Sequence, residues 1–211
     1  MNRTRIFLVN LIMFLAIIAL GFAGYYYYFT KSNYIGTDDA KVTGDIVSIA
    51  SPAAGKLTNW KATEGSSVDQ DATVGQVSAG SQNTNITSPI SGTVIQNKAA
   101  SGQLVAPGQP LAQVVDLKKL YVEANIEETN IKDVKVGQDV DVTLDADTGT
   151  KVTGKVEEIG HAANSVFSLL PQSNASGDYT KVTQKVPVKI SLDNLPGGIV
   201  PGMNATVSIH K

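Results

Sequence analysis

Apolar residues are distributed in three ways along the chain. From Ile6 to Phe29 they form one run broken only by Asn10 and small residues. As a helix at 1.5 Å per residue that run would be about 36 Å long, enough for a hydrocarbon core of about 30 Å, so a membrane-spanning helix is predicted over 6–29. Through the next ninety or so residues, valine, isoleucine and leucine alternate with polar residues in short stretches punctuated by glycine and proline, which is the pattern of short strands. After Leu117 the alternation lengthens. Strands are predicted over Leu120–Ile126, Gln138–Leu144, Lys151–Ile159, Val182–Leu192 and Met203–Ile209, with one or two helical turns between Glu127 and Val134. Pro187 is expected to weaken the fourth of these strands or to place it at an edge.

The middle region contains one stretch twice, 37 positions apart and without a gap. Ile49-Ala50-Ser51-Pro52-Ala53-Ala54-Gly55 answers Ile86-Thr87-Ser88-Pro89-Ile90-Ser91-Gly92, and the match continues through Lys61/Lys98, Gly65/Gly102, Val68/Val105, Gln76/Gln113 and Val77/Val114. Pro52 and Pro89 are read as strand starts, and the glycines as turns. A half of about thirty residues cannot bury enough apolar surface to offset its ordering entropy, so the two copies are expected to close a common core. The pattern resembles the biotinyl/lipoyl fold, a flattened barrel of two quasi-equivalent halves. In carrier members of that fold the turn between the halves presents a lysine for modification. Here the junction, Ser78-Ala79-Gly80-Ser81-Gln82-Asn83-Thr84-Asn85, has none. Lys61 and Lys98 lie inside the halves and read as solvated edge lysines, so no cofactor is expected.

The fold class expected is therefore mainly β: an N-terminal transmembrane helix, a split biotinyl/lipoyl-like flattened barrel, then a small antiparallel β-barrel. The expected boundaries are a tail over 1–5, the helix over 6–29, a linker and first strand over 30–45, the lipoyl-like domain over 46–116 with halves 49–77 and 86–114, and the β-barrel over 117–211. Arg3 and Arg5 precede the apolar run and Lys31 alone follows it closely, which keeps the N-terminus cytoplasmic and the later domains extracytoplasmic. Tyr25, Tyr26, Tyr27 and Tyr28 suit the membrane interface, with ring in the headgroup layer and hydroxyl in water. A cleaved signal peptide is the competing reading, since Gly21-Phe22-Ala23-Gly24 offers small residues to a peptidase.

Composition narrows the chemistry. The chain has no cysteine, which excludes disulfides and thiolate metal sites. Beyond the apolar run, 15 lysines face 19 acids, a balance of −4 with no basic stripe, so nucleic acid is not an expected partner. His161 and His210 have no ligand neighbours at metal-binding spacing, and no serine stands in a Gly-x-Ser-x-Gly elbow. No P-loop spacing occurs either. No catalytic, cofactor-binding or metal site is expected, and the Asn-x-Ser/Thr triplets at Asn85, Asn174 and Asn204 are ordinary chance matches.

Two further segments make the resemblance more specific. Tyr34-Ile35-Gly36-Thr37-Asp38-Asp39-Ala40-Lys41-Val42 is similar to the segment following the anchor in the HlyD/EmrA-type membrane fusion proteins, or periplasmic adaptors. Phe167-Ser168-Leu169-Leu170-Pro171-Gln172-Ser173-Asn174-Ala175-Ser176-Gly177, with Lys181 to Val188 after it, resembles a barrel-loop motif of the EmrA-like branch. The resemblance implies a non-catalytic adaptor of a multidrug efflux or secretion pump. Its partner would be a multi-span transporter, of the major-facilitator type in preference to an ABC exporter, and it would be a homo-oligomer held to the membrane by one helix. A stand-alone envelope module is the alternative. Gram-negative members insert a long helical hairpin between the lipoyl halves; eight residues stand there in this chain, so docking to an outer-membrane channel is not expected. Phe167, Leu169 and Leu170 are the main candidate contacts, being large apolar residues on a polar loop that must either fold back or meet a partner. Gln82, Asn83 and Thr84, at the junction, are the second set.

Overall fold

The structure, a computed structural model, describes residues 11–22, 24–25, 33–80, 82–167 and 183–211, the side chains of 147–150 and 167 excepted. A first strand, β1 (Tyr34–Thr43), leads into two sets of four: β2 (Val47–Ala50), β3 (Gly55–Thr58), β4 (Ser67–Val68) and β5 (Thr73–Ala79), then β6 (Gln82–Thr87), β7 (Gly92–Asn97), β8 (Leu104–Val105) and β9 (Pro110–Val115). They form two sheets, ordered β2-β9-β7-β4 and β6-β5-β3-β8. Exchanging each strand for its repeat partner converts one order into the other, so the halves are related by a pseudo-twofold axis and each sheet takes two strands from each half. Pro52 and Pro89 lie in the bends between β2 and β3 and between β6 and β7, and do not begin strands.

Hydrogen bonds between the halves also come in repeat-related pairs. Gly65 N–H donates to Val94 C=O at 2.8 Å and Gly102 N–H to Leu57 C=O at 2.7 Å; Ser51 N–H donates to Gln109 C=O at 2.9 Å and Ser88 N–H to Ala72 C=O at 3.0 Å. The core between the sheets holds the matching apolar set Ile49/Ile86, Leu57/Val94, Ala62/Ala99, Val74/Leu111 and Val77/Val114. Backbones approach so closely that a Cβ on Gly55 would collide with the carbonyl of Ser78, and one on Gly92 with that of Val115. Those contacts are themselves repeat partners, which explains why the glycines recur.

The barrel is completed by β10 (Tyr121–Glu127), β11 (Asp139–Leu144), β12 (Asp147–Ile159), β13 (Lys185–Leu192) and β14 (Asn204–His210), with a helical turn Glu128–Ile131 after β10. Its order is β1-β10-β13-β12-β11-β14, closed by β1 on β14. Inward residues such as Val122, Ala124, Ile126, Val140, Val142, Val188, Ile190, Val207 and Ile209 alternate with polar outward ones and are buried. The barrel expected over 117–211 therefore needs correction: residues 34–43 are one of its strands, and the sandwich is inserted between β1 and β10.

Pro187 also departs from expectation, because β13 is internal to a closed barrel and not an edge. Its carbonyl accepts Gly160 N–H at 2.8 Å just where β12 ends at Ile159, so the missing donor forfeits only the reciprocal bond of a terminal pair. At the sandwich junction the eight residues between the halves are mostly strand. Ala79 pairs with Gln82 across the junction. Among the described residues no helix is long and apolar enough to cross a membrane. Much of the expected 6–29 span, including 6–10, 23 and 26–29, lies outside the described residues, whereas 11–22 and 24–25 are helical and exposed.

Leu57 is fully buried between the sheets. Leu57→Ala is expected to lower stability by about 2–5 kcal/mol in urea denaturation of the intact chain in detergent; a loss far below that range would contradict this description of the core.

Candidate partner-contact surfaces

The register places the start of β1, the end of β10, the start of β13 and the end of β14 at one end of the barrel, since Tyr34 pairs with His210 and Glu127 with Lys185. At this end β1 carries a register break between Thr37 and Ala40, so Asp38 and Asp39 occupy a bulge. Thr37 Oγ1 accepts Asp39 N–H at 3.2 Å and donates to the Asn125 carbonyl at 3.0 Å. The Asp39 carboxylate accepts Asn125 Nδ2 at 3.1 Å and meets Lys185 Nζ at 2.7 Å. Asn125 Oδ1 in turn accepts Asn164 Nδ2 at 2.7 Å. Lys185 and then the Asn125 amide hold the Asp39 carboxyl below the usual carboxylate range, and Asp39 raises the Lys185 ammonium above the usual lysine range.

Asn164 and Lys185 flank the loop singled out in the sequence. Its first part is a 3-10 turn, Asn164–Phe167, in which Val166 N–H donates to Ala163 C=O at 3.0 Å and the Val166 side chain is 70% exposed. Phe167 ends that turn, but its side chain, with Leu169 and Leu170, lies outside the described residues. Tyr25 is helical and exposed; Tyr26, Tyr27 and Tyr28 also lie outside them.

Gln82, Asn83 and Thr84 are exposed on β6, an edge strand. Trp60 and Asn97, which are repeat partners, meet through a hydrogen bond of 3.1 Å from Nε1 to Oδ1, so the pseudo-twofold passes between them. It exchanges the end where the chain enters at Val47 and leaves at Val115 with the end carrying the β5–β6 turn. The second candidate set thus lies at the end of the sandwich away from the barrel. The outer faces of the two sheets differ in kind. Ile95 and Val115 pack on the barrel core and Ile46 lines the adjoining cleft; their partners in the other half are Thr58, Ser78 and Asn83. That open face carries amide and hydroxyl pairs, Gln76 with Asn85 at 3.0 Å and Ser78 with Asn83 at 2.7 Å.

A cleft of about 510 Å³ follows the outer β1–β10 seam to the hinge with the sandwich, lined by Asp39, Lys41, Ile46, Ile95, Glu123 and Pro201 among others. His210 Nε2 lies 3.0 Å from Asp141 Oδ2 with Tyr34 edge-on to its ring, a pairing across β14 and β11 that spacing along the chain could not show. Among the described residues no group of three or more His, Cys, Asp or Glu is placed to hold a metal.

Comparison with known proteins agrees with this architecture module by module. A family profile described as the YhbJ barrel-sandwich hybrid domain matches residues 45–116, and one described as an AAEA-like beta-barrel domain matches 119–210. The chain is 47% identical over 211 residues to YhbJ of Bacillus subtilis (strain 168), named as an efflux system component, covering 100% of this chain and 95% of that one. It is 37% identical over 133 residues to the multidrug export protein EmrA of Escherichia coli (strain K12), covering 61% of this chain and 34% of that protein, so it spans about a third of that relative's length. In fold it is similar to the solved periplasmic adaptor protein EmrA, with a TM-score of 0.55 and 14% identity over 84% of this chain and 98% of that one. The membrane fusion protein Spr0693 from Streptococcus pneumoniae R6 gives a TM-score of 0.60 and 16% identity, over 83% and 97%.

The side chains of Asp39 and Lys185 are 37% and 44% exposed, so solvent screens their pair and Asp39→Asn is expected to move the thermal midpoint at neutral pH by no more than about 2 °C. The depressed Asp39 stabilises the fold above the ordinary carboxylate value of 3.8 and loses that contribution as pH falls through its folded value; the raised Lys185 contributes below 10.5 and loses it as pH rises through its own. The difference between wild type and Asp39→Asn in a pH series of thermal scans is therefore expected to be flat between those limits and to vanish in acid.

Proposed function

The chain belongs to the non-catalytic membrane fusion, or adaptor, family of efflux systems represented by YhbJ, and from that premise we propose that it is the membrane-anchored adaptor of a multidrug efflux or secretion pump. The observation that carries the reading is the match of two family profiles, in order, to residues 45–116 and 119–210 of a chain that aligns over all its 211 residues with 95% of YhbJ. The apolar run over 6–29 is its single membrane helix, with the N-terminus cytoplasmic; the exposed apolar side chains of the helical residues 11–22 support that assignment. The barrel end at which β1 begins then faces the membrane and the sandwich tip points away from it. Energy coupling resides in a multi-span transporter, of the major-facilitator type by resemblance, around which several copies assemble.

The partner-contact residues are Phe167, Leu169 and Leu170 on the membrane-facing barrel loop, with Gln82, Asn83 and Thr84 a secondary set at the tip. At the tip Ala79 pairs directly with Gln82, which leaves two residues where a helical hairpin would have to stand, and the open sheet face beside it is hydrophilic, which supports an adaptor that does not dock an outer-membrane channel.

Crosslinking and detergent purification from native membranes, with the intact chain as bait, is expected to recover one multi-span exporter, and exchange of residues 6–29 for an unrelated anchor is expected to lose it. Recovery of no transporter across several detergents would replace this reading with a stand-alone envelope module. Replacing Phe167 and Leu170 together with Ser is expected to abolish efflux while leaving the thermal midpoint unchanged; a lowered midpoint would instead mean that the two side chains pack onto the barrel.

A further inference from the structure

At the sandwich end of the barrel, the connection from β13 to β14 runs over 193–203 and carries Leu195, Pro196 and Ile199. Ile199 is buried in the barrel core, but Leu192 and Leu195 are only half-buried against it, and so is Leu117 on the hinge from the sandwich. All five apolar side chains line one groove of about 460 Å³ between the hinge and the connection. That volume falls within the roughly 300–1,000 Å³ of small-molecule sites, and an apolar strip of this extent exceeds the scattered single residues normal on a surface. The connection is also constrained. Pro196 and Pro201 restrict it, and its backbone is left-handed at Asn194 (φ 50°) and Gly198 (φ 91°). Its ends are tied, Asp193 N–H donating to Thr153 C=O at 2.8 Å and Gly202 N–H to Val42 C=O at 2.8 Å. The groove is therefore preformed, and a ligand need not bear the cost of ordering it.

Its rim carries one charge. Lys118 lines the groove and no aspartate or glutamate does. Among the described residues the Lys118 ammonium has no carboxylate partner, whereas the adjacent Lys119 lies 3.8 Å from Asp116. Asp116 Oδ1 accepts Lys118 N–H at 3.0 Å, which fixes the backbone there and leaves the side chain to the groove. Other clefts differ in charge: the one at the β1–β10 seam sets Lys41 against Asp39 and Glu123, and two beside Asp116 also hold Asp69 or Asp45. A single ammonium above an apolar strip matches a monoanionic head on an aliphatic tail. A phosphate dianion would call for further donors. Nor does the repeat impose these residues, since the positions equivalent to Leu117 and Lys118 in the first half are Gly80 and Ser81.

We propose that this groove binds a free aliphatic carboxylate of the fatty-acid class, its tail along Leu117, Leu192, Leu195, Pro196 and Ile199 and its head group on Lys118. Leu117 and Lys118 belong to the hinge and the other residues to the barrel, so an occupied groove joins the two modules. Leu192 stands at the opposite end of β13 from Lys185, about 23 Å away at about 3.3 Å per residue. In the anchored orientation proposed above, a phospholipid seated in the bilayer does not reach it, and the acid arrives free. That last step rests on the adaptor reading; binding of the acid itself does not.

The test places the full chain in nanodiscs of zwitterionic lipid and irradiates it with decanoic acid bearing a diazirine near the end of its tail, labelled residues being mapped by mass spectrometry. Label is expected at Leu117 and over 192–199, and an excess of plain decanoate should displace it. Decanol bearing the same diazirine is expected to label the groove roughly threefold less, as is the acid with Lys118→Met or Lys118→Glu, because a charge-assisted bond is lost. Lys118→Arg should retain the label. The Lys118 side chain is exposed, so the thermal midpoints of these variants should match wild type. Equal labelling by acid and alcohol, or no loss in either Lys118→Met or Lys118→Glu, would overturn the head-group assignment. Label no denser in the groove than on the rest of the barrel would overturn the site. A diazirine-bearing phosphatidylglycerol in the nanodisc that labels the groove as well as the acid does would overturn the free source. No transporter is present, so failure of the groove is read separately from failure of the adaptor reading.

Discussion

Neither half of the sandwich can complete a sheet alone, and the rest of the architecture follows from this constraint. Each half supplies two strands to each sheet, and the close backbone approaches at Gly55 and Gly92 recur at equivalent points within each half, β3 against β5 and β7 against β9. The buried set pairs residue for residue across the pseudo-twofold, so one core serves both copies. Ser51 and Ser88 show how far the equivalence extends: both are buried, and each hydroxyl donates to a carbonyl two residues on, Ala53 at 2.8 Å and Ile90 at 2.7 Å. Buried hydroxyls satisfied this locally let the chain bend tightly without leaving an unpaired polar group.

Symmetry of that kind would produce two equivalent ends, but the chain uses them differently. At one end Val115 and Ile95 are covered by the barrel, and Gly44 admits the side chains of Val115 and Leu120 so closely that a Cβ there would clash with both. The two connections between the domains thus run through a packed apolar seam. At the other end the corresponding positions are Thr58 and Ser78, bordered by Asn83 and Asn85, which need no cover. One scaffold therefore serves as a docking face on one side and a hydrated tip on the other.

The barrel adds a second long-range requirement. Its first strand comes before the sandwich and its remaining five after it, so closure by β1 on β14 brings residues near the two extremes of the described domain side by side. That closure gathers β1, β10 and β13 at the chain-entry end, where Asp39, Asn125, Asn164 and Lys185 meet. In a non-catalytic adaptor family the informative chemistry is the placement of such polar ties, and not a reactive group.

Much of this was legible along the chain because it depends on period and repetition. The alternation from Tyr121 to Ile126 and from Asp139 to Leu144 defines strands whichever neighbours they find, and a 37-residue repeat with glycines in step implies two halves sharing a core. What alternation cannot state is pairing. Tyr34 to Thr43 carries the same period-two signal whether it is a linker strand or a barrel strand, and only its register with His210 and Ala124 decides. Pro187 reads as an edge marker until the end of β12 is seen to fall beside it. Asp38-Asp39 reads as an acidic pair until the bulge turns one carboxylate across β10 toward a lysine 146 positions away. Local composition determined the strands and the repeat; the contacts that bind distant segments were decided by the tertiary structure, because hydrogen bonds and ion pairs are set by distance in space and not by separation along the chain.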